Sequence, residues 1–357
     1  MTGANLARAD DLGGVAGRPA ALPGGLVLGA GSRIAIVRLG AIGDVVNTMP
    51  LLVTLRDALP RAQLTWVIEP KSWPILEGHP ALDDHVLFPR HEVRRHGAAF
   101  VRELRSRRFD VVLDTQRLLK SALVALASGC RVRIGFDRRR SKEGNWLFAT
   151  AHLRPREGQA PMIDQFREFA TALGCALGPV RWDLPIPSAA RQRAESALAG
   201  VARPYVVLNL GASKPENLWA AERWAELTRR IGDELDRPVL WTGGPQDVER
   251  ARAAARSASP ARDLVGATDL KTLAAILEGA SLVVSCDTGP MHIAVAVGAP
   301  VVGLFGPADP ARTGPYGWRE FVVLPRDGSR DMRDLAVDDV LASVRRLLAT
   351  RPTGGYS

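Results

Sequence analysis

Short β-branched runs alternate with helical stretches along most of this chain. Arg33–Arg38 (RIAIVR) is an apolar run that ends in a glycine-containing turn, and Asp44–Leu59 follows with apolar residues at helical spacing. Gln63–Ile68 and Phe109–Asp114 read as further strands, the second leading into a helix over Leu118–Ala127. A second series starts near Arg203. It has strands at Tyr205–Leu210, Val239–Thr242, Ser281–Cys286 and Val301–Phe305, and helices at Glu222–Leu235, Leu270–Glu278, Met291–Val297 and Asp338–Ala349. Strand–helix alternation of this kind predicts the α/β class, with parallel sheets covered by helices. The Pro-rich, aperiodic segment Gly178–Pro187 is the natural join between two units. The expected organisation is a flexible leader over 1–32, one α/β domain over 33–180, a second over 188–335, and a closing helix and tail over 336–357, with the two domains facing across a cleft.

Composition narrows the class. Hydrophobic residues are 46% and charged residues 24%, ordinary for a soluble globular protein. No apolar run reaches the roughly 18 residues of a membrane helix. Arg8, Asp10 and Asp11 stand where a signal peptide needs an apolar core, so a cytoplasmic protein is expected. Cys130, Cys175 and Cys286 are too dispersed for a disulfide framework, and no His/Cys spacing suggests a metal site. The net charge of +9 is unevenly spread: residues 1–180 carry 25 Lys/Arg against 17 Asp/Glu, and residues 181–357 carry 22 against 21. The excess lies in Arg90–Arg108 and Arg131–Lys142, which suggests an anionic partner or surface, although Arg-rich helix faces are often only solvated. Nucleic acid is disfavoured because aromatic residues do not interleave with these basic runs.

Three loops could carry chemistry. Gly40-Ala41-Ile42-Gly43-Asp44 lies between a strand and a helix, where glycines allow a ligand close to the backbone. Arg38 occupies the first position of a would-be GxGxxG, which weakens a dinucleotide fingerprint, while Glu69 lies roughly where a ribose-binding acid would sit. Asp44 is either a helix cap or a carboxylate able to take a proton from a hydroxyl. Asp287-Thr288-Gly289-Pro290-Met291-His292 opens a helix and, with Gly211-Ala212-Ser213-Lys214, resembles a cradle for a diphosphate; an ordinary capped loop is the alternative. Asp114-Thr115-Gln116-Arg117-Leu118-Leu119-Lys120 ends a strand and holds one of only five lysines.

Together these residues resemble glycosyltransferase family 9, the lipopolysaccharide heptosyltransferases. The matching stretches are RLGAIGDVVNTMPLL at Arg38–Leu52, DTQRLLKSAL at Asp114–Leu123, GFDRRRSKE at Gly135–Glu143, GATDL at Gly266–Leu270 and CDTGPMHIAVAVGAPVVGLFGPADP at Cys286–Pro310. The resemblance implies a GT-B fold, two Rossmann-like domains with the active site between them. It implies inverting transfer of a heptose from ADP-heptose to a hydroxyl of the lipopolysaccharide inner core, without a cofactor. Asp44 matches the general base. Gly211, Ala212, Ser213, Lys214, Asp287, Thr288, Gly289 and His292 match donor-binding positions, with Thr268 on the adenine side and Asp247 at the ribose. Gly43, Gln116, Lys120 and Arg138 match positions facing a lipid-linked, anionic saccharide acceptor, and Arg90–Arg108 is compatible with peripheral contact at an anionic inner membrane. Two departures stand out. The family's Lys-x-Trp reads Asn217-Leu218-Trp219 here, and the usual glycine after the Gln of the acceptor motif is Arg117. A nucleotide-dependent oxidoreductase and a non-catalytic nucleotide- or polyanion-binding protein are the alternatives.

Overall fold

The computed structural model describes residues 28–156, 158–326 and 328–350. Most of the expected leader therefore lies outside the described residues; its end forms a turn, with the Ser32 amide donating to the Gly29 carbonyl. The N-terminal lobe contains strands β1 (Arg33–Val37), β2 (Gln63–Ile68), β3 (Asp84–Leu87), β4 (Val111–Asp114), β5 (Arg133–Gly135) and β6 (Ala151–His152). Its helices are α1 (Ile42–Ala58), α2 (Trp73–Leu76), α3 (Val93–Ser106), α4 (Leu119–Ala127) and α5 (Met162–Ala172). The C-terminal lobe opens with α6 (Ser188–Ala197). Its strands are β7 (Val206–Asn209), β8 (Val239–Thr242), β9 (Arg262–Asp263), β10 (Leu282–Cys286), β11 (Val301–Leu304) and β12 (Val322–Val323). They are interleaved with α7 (Ala221–Leu235), α8 (Val248–Ala254), α9 (Leu270–Glu278), α10 (Gly289–Ala296) and α11 (Pro310–Thr313), and α12 (Val337–Thr350) follows.

Both sheets are parallel, ordered β3-β2-β1-β4-β5-β6 and β12-β11-β10-β7-β8-β9. Counted within each lobe, both orders are the doubly wound 3-2-1-4-5-6. In that order the chain reverses direction across the sheet between the first and fourth strands, and a crevice opens at their carboxyl ends. Alternation along β1 explains the layering. Ile34 and Ile36 face a core built with α1 and α5, while Ala35 and Val37 face the one built with α3 and α4. The first of these cores continues into the second lobe through α9 and α10. Helix α12 packs on α7 and on β10–β12, so the helix expected as a separate closing segment is part of the C-terminal core. Residues 351–357 of the expected tail lie outside the described residues.

Several contacts tie the lobes together, and two of them fix the joint and the cleft. Lys271 on α9 is buried and donates from Nζ to the carbonyls of Ile75 in α2 (2.9 Å) and Pro185 in the joining segment (2.7 Å). At the cleft, α1 lies against α10. A Cβ on Gly43 would stand 2.7 Å from Cδ2 of the buried His292, and one on Gly289 would stand 3.3 Å from a methyl of Ile42. Glycine is required at Gly43 by proximity rather than by backbone conformation. Gly43→Ala should therefore lower stability by about 1–3 kcal/mol. Gly289→Ala should cost less, because the Ile42 methyl can yield. Thermal unfolding of the two variants beside the parent checks that order.

Candidate active site

The two crevices face each other. On the N-terminal side, the loop after β1 is clamped to the loop after β4: the Leu39 amide donates to Gln116 Oε1 (2.7 Å), and Arg38 Nη1 donates to the Thr115 carbonyl (2.7 Å). The Gly40–Ala41 peptide is cis. Helix α1 begins at Ile42 with Ala41 at its cap, so Asp44 sits three positions too deep to cap it. Its carboxylate turns instead to Arg38, whose Nη2 is 2.8 Å from Oδ2. The Arg38 side chain is buried, whereas that of Asp44 is 42% exposed: a carboxylate held from behind and open in front. The cap alternative is thereby removed.

On the opposite wall, Thr288 takes the cap position of α10 without making a side-chain bond to the helix. Asp287 accepts from the Thr313 hydroxyl at 3.2 Å. Burial pushes the Asp287 carboxyl up to about 6, Asp44 nearby adds to the rise, and Thr313, Lys214 and Arg312 oppose it. Lys214 is thus within electrostatic reach of the loop. Asn217, at the position of the family's lysine, is buried and donates from Nδ2 to the Asp287 carbonyl at 3.4 Å. His292 lies behind Gly43, its Nε2 3.8 Å from Asp287 Oδ1. Burial drives its pKa down to about 4, against a weaker opposing pull from Asp44, so it is neutral at neutral pH and packs as a wall.

The loops after β7, β8 and β9 extend this wall. A Cβ on Gly211 would collide with the Asp247 carboxylate, and Gly266, at φ 74°, fits against Val248 and Pro245. Asp247 is turned into this assembly: it is buried, and its Oδ2 accepts from the Gly244 amide at 2.9 Å, so its carboxylate serves the loop's own architecture. Ser213 and Lys214 are exposed, Ala212 and Thr268 half-buried.

On the acceptor side, Lys120 donates to Glu69 Oε1 at 2.6 Å, and Arg90 reaches Glu69 Oε2 at 3.1 Å. Glu69 is therefore engaged by two cations and is not a free ribose acid. Arg138 stands apart, exposed, with its guanidinium 5.4 Å from the centre of the Trp146 ring. The structure thus brings together Gly43, Asp44, Asp287, Thr288, Gly289 and His292, and separately Gly211 with Asp247 and Lys120 with Glu69. Sequence reasoning did not single out Thr313 or Arg312. Both lie in a short helix well downstream of the Asp287 loop, and no spacing rule connects them to it.

The family model for glycosyltransferase family 9 (heptosyltransferase) matches residues 98–334, more than half of the chain. The chain belongs to glycosyltransferase family 9. It is 27% identical over 300 residues to the lipopolysaccharide core heptosyltransferase OpsX of Haemophilus influenzae, covering 82% of this chain and 84% of that protein. It is 28% identical over 325 residues to lipopolysaccharide heptosyltransferase 1 of Escherichia coli, covering 87% of this chain and 100% of that protein. Among solved structures, the E. coli heptosyltransferase WaaC with ADP superposes with a TM-score of 0.70 at 25% identity, covering 88% of this chain and 97% of that one. The family 9 protein described here has the GT-B fold and is a glycosyltransferase, which leaves the oxidoreductase and non-catalytic alternatives without support.

His292 gives the pH signature of this family 9 site. Its folded pKa is below its unfolded one, so its contribution to stability is complete above about 6.5 and drains away as pH falls through about 4. His292→Gln should flatten the decline in melting temperature between those two pH values, measured by calorimetry against the parent.

Proposed function

We propose that this protein transfers a heptose from ADP-heptose, with inversion, to a hydroxyl of the lipopolysaccharide inner core. The observation that carries this reading is the abutment of the loop bearing Asp44 on the start of α10, a carboxylate on one lobe beside a phosphate-type loop on the other. In the proposed reaction the Asp44 carboxylate takes the proton of the acceptor hydroxyl. That oxygen attacks the anomeric carbon from the face opposite the nucleotide, and the bond from that carbon to the β-phosphate oxygen breaks. ADP leaves, and its developing charge meets the start of α10, the Thr288 hydroxyl, Ser213 and Lys214. Arg38 keeps Asp44 aimed, while Gln116 and Lys120 line the acceptor side. The donor is argued from the relatives' names and the ADP bound to the solved neighbour. The acceptor is argued from the basic N-terminal lobe.

The outer layer of that lobe supports peripheral contact with the cytoplasmic face of an anionic bilayer. Leu119, Leu123 and Leu126 make one stripe on α4 and are 38%, 48% and 43% exposed; Leu147, in the short turn packed on α4, is 65% exposed. The neighbouring α3 presents Arg94, Arg95 and Arg102, and Arg138, Arg139 and Lys142 stand on the other side; all six are exposed, and none forms a salt bridge to a carboxylate among the described residues. A leucine ridge between free cations is complementary to acyl chains beneath anionic headgroups. No helix among the described residues is long and apolar enough to cross a membrane.

Asp44→Asn should lower transfer by about 10²–10⁴-fold while leaving ADP affinity unchanged, read by product mass spectrometry and calorimetric titration. Near-parental turnover in that variant removes Asp44 from its role. For the membrane face, the parent should sediment with phosphatidylglycerol vesicles and not with phosphatidylcholine ones. The L123Q/L126Q/L147Q variant should lose that partition while still turning over a soluble acceptor.

A further inference from the structure

Folding alone does not account for Arg117. Its φ of 71° lies in the left-handed region that favours glycine, the residue usual at this point of the acceptor motif. Its side chain is directed inward and the residue is only 8% exposed. The guanidinium lies 4.0 Å from the centre of the Phe136 ring, and Nη2 donates to Gln165 Oε1 at 2.5 Å. Its Nε has no acceptor, and no carboxylate pairs with it among the described residues.

A second unpaired guanidinium comes from the other lobe. Arg312, on α11, approaches Met162 Sδ with Nε at 3.2 Å. Met162 and Gln165 are three residues apart on α5 and share one face of it. Arg38 reaches the same helix, its guanidinium 4.8 Å from the centre of the Phe166 ring, and its Nε is likewise without an acceptor. Arg38 has Asp44 as its counterion, and nearby Arg140 has Asp137 and Glu168; Arg117 and Arg312 form no salt bridge among the described residues, and the one carboxylate that feels Arg312 is Asp287, already held by Thr313. Burial pulls the Arg117 guanidinium down to about 9, and repulsion from Arg312, Arg38 and Arg140 adds to this against a weaker attraction from Asp44. A buried cation normally has its charge matched by a neighbour.

We propose that Arg117 and Arg312 form an anion clamp across the cleft, which takes a carboxylate or phosphate carried by the acceptor saccharide close to the hydroxyl offered to Asp44. The inference rests on the transferase reading above and names the acceptor feature that this site selects. The acceptor is favoured over the donor because Arg117 stands between Gln116 and Lys120 on the acceptor lobe, while the start of α10 and Lys214 already face the diphosphate. An anion between the two arginines would also replace a repulsion between the lobes with two attractions. Acceptor binding would then favour the closed arrangement.

The test uses the full chain and two pairs of probe saccharides: one bearing a ring carboxylate beside its methyl ester, and one bearing a phosphate monoester beside the free alcohol. Titration calorimetry of the parent should show one charged probe binding at least about tenfold more tightly than its neutral partner, and the pair that discriminates identifies the anion. In Arg117→Gly, whose glycine suits the observed φ, that ratio should shrink to within about threefold, with melting temperature and ADP affinity unchanged. Acceptor KM should rise with kcat nearly constant, and Arg312→Gln should act in the same direction. An unaltered ratio in Arg117→Gly, or a loss of ADP affinity in place of acceptor affinity, overturns the clamp. If the parent discriminates between probes but transfers no heptose, the clamp stands and the transferase reading falls.

Discussion

The site depends on one steric constraint: two helix starts from different lobes must meet with almost no side chain between them. Gly43 and Gly289 supply that closeness, and the buried, neutral ring of His292 fills the space behind Gly43. Because Asp44 follows Gly43 directly, the same contact that joins the lobes sets the distance between the carboxylate and the phosphate-type loop. In the proposed reaction, recognition and catalysis are therefore not separable from domain packing. Arg38 completes the arrangement by anchoring Asp44 from the protein interior, where a guanidinium can bridge two loops and a carboxylate at once.

Much of this architecture could be read from the residues. The strand Gln63–Ile68 and the helix Leu270–Glu278 have the bounds their patterns predict, because each is a clear periodic run between breakers. The Asp287–His292 loop follows a strand and opens a helix, as its composition suggests. What escaped depends on distance in the chain. Helix α5 (MIDQFREFATA) follows an irregular segment and carries a mixed polar pattern, yet it presents Met162, Gln165 and Phe166 to the arginines of the cleft. The bond between Thr313 and Asp287 spans 26 positions and leaves no local trace. Asp44 was ambiguous between cap and base only because spacing cannot fix the first residue of a helix to within two positions. Asp247, an acid after paired glycines, has the spacing of a ligand-binding residue, and its bond from the Gly244 amide is a local contact that the spacing does not reveal.

The charge asymmetry acquires structure in the same way. The excess of arginine in the first half is not a uniform coat. Part is neutralised in compact networks such as Arg140 with Asp137 and Glu168, part forms the exposed border of the α4 leucines, and part is turned inward around α5. Composition bias supplies many arginines; burial, counterions and aromatic neighbours decide which of them are left without a matching charge.

Lys271 ties the two halves through backbone carbonyls alone. Its ammonium grips a carbonyl of α2 and another in the joining segment, far along the chain from the loops that meet at the cleft. A slip of one half past the other would strand the buried ammonium together with both carbonyls it serves. The register between the lobes is thereby keyed to one buried ammonium, a fastening that lies outside the loops at the cleft.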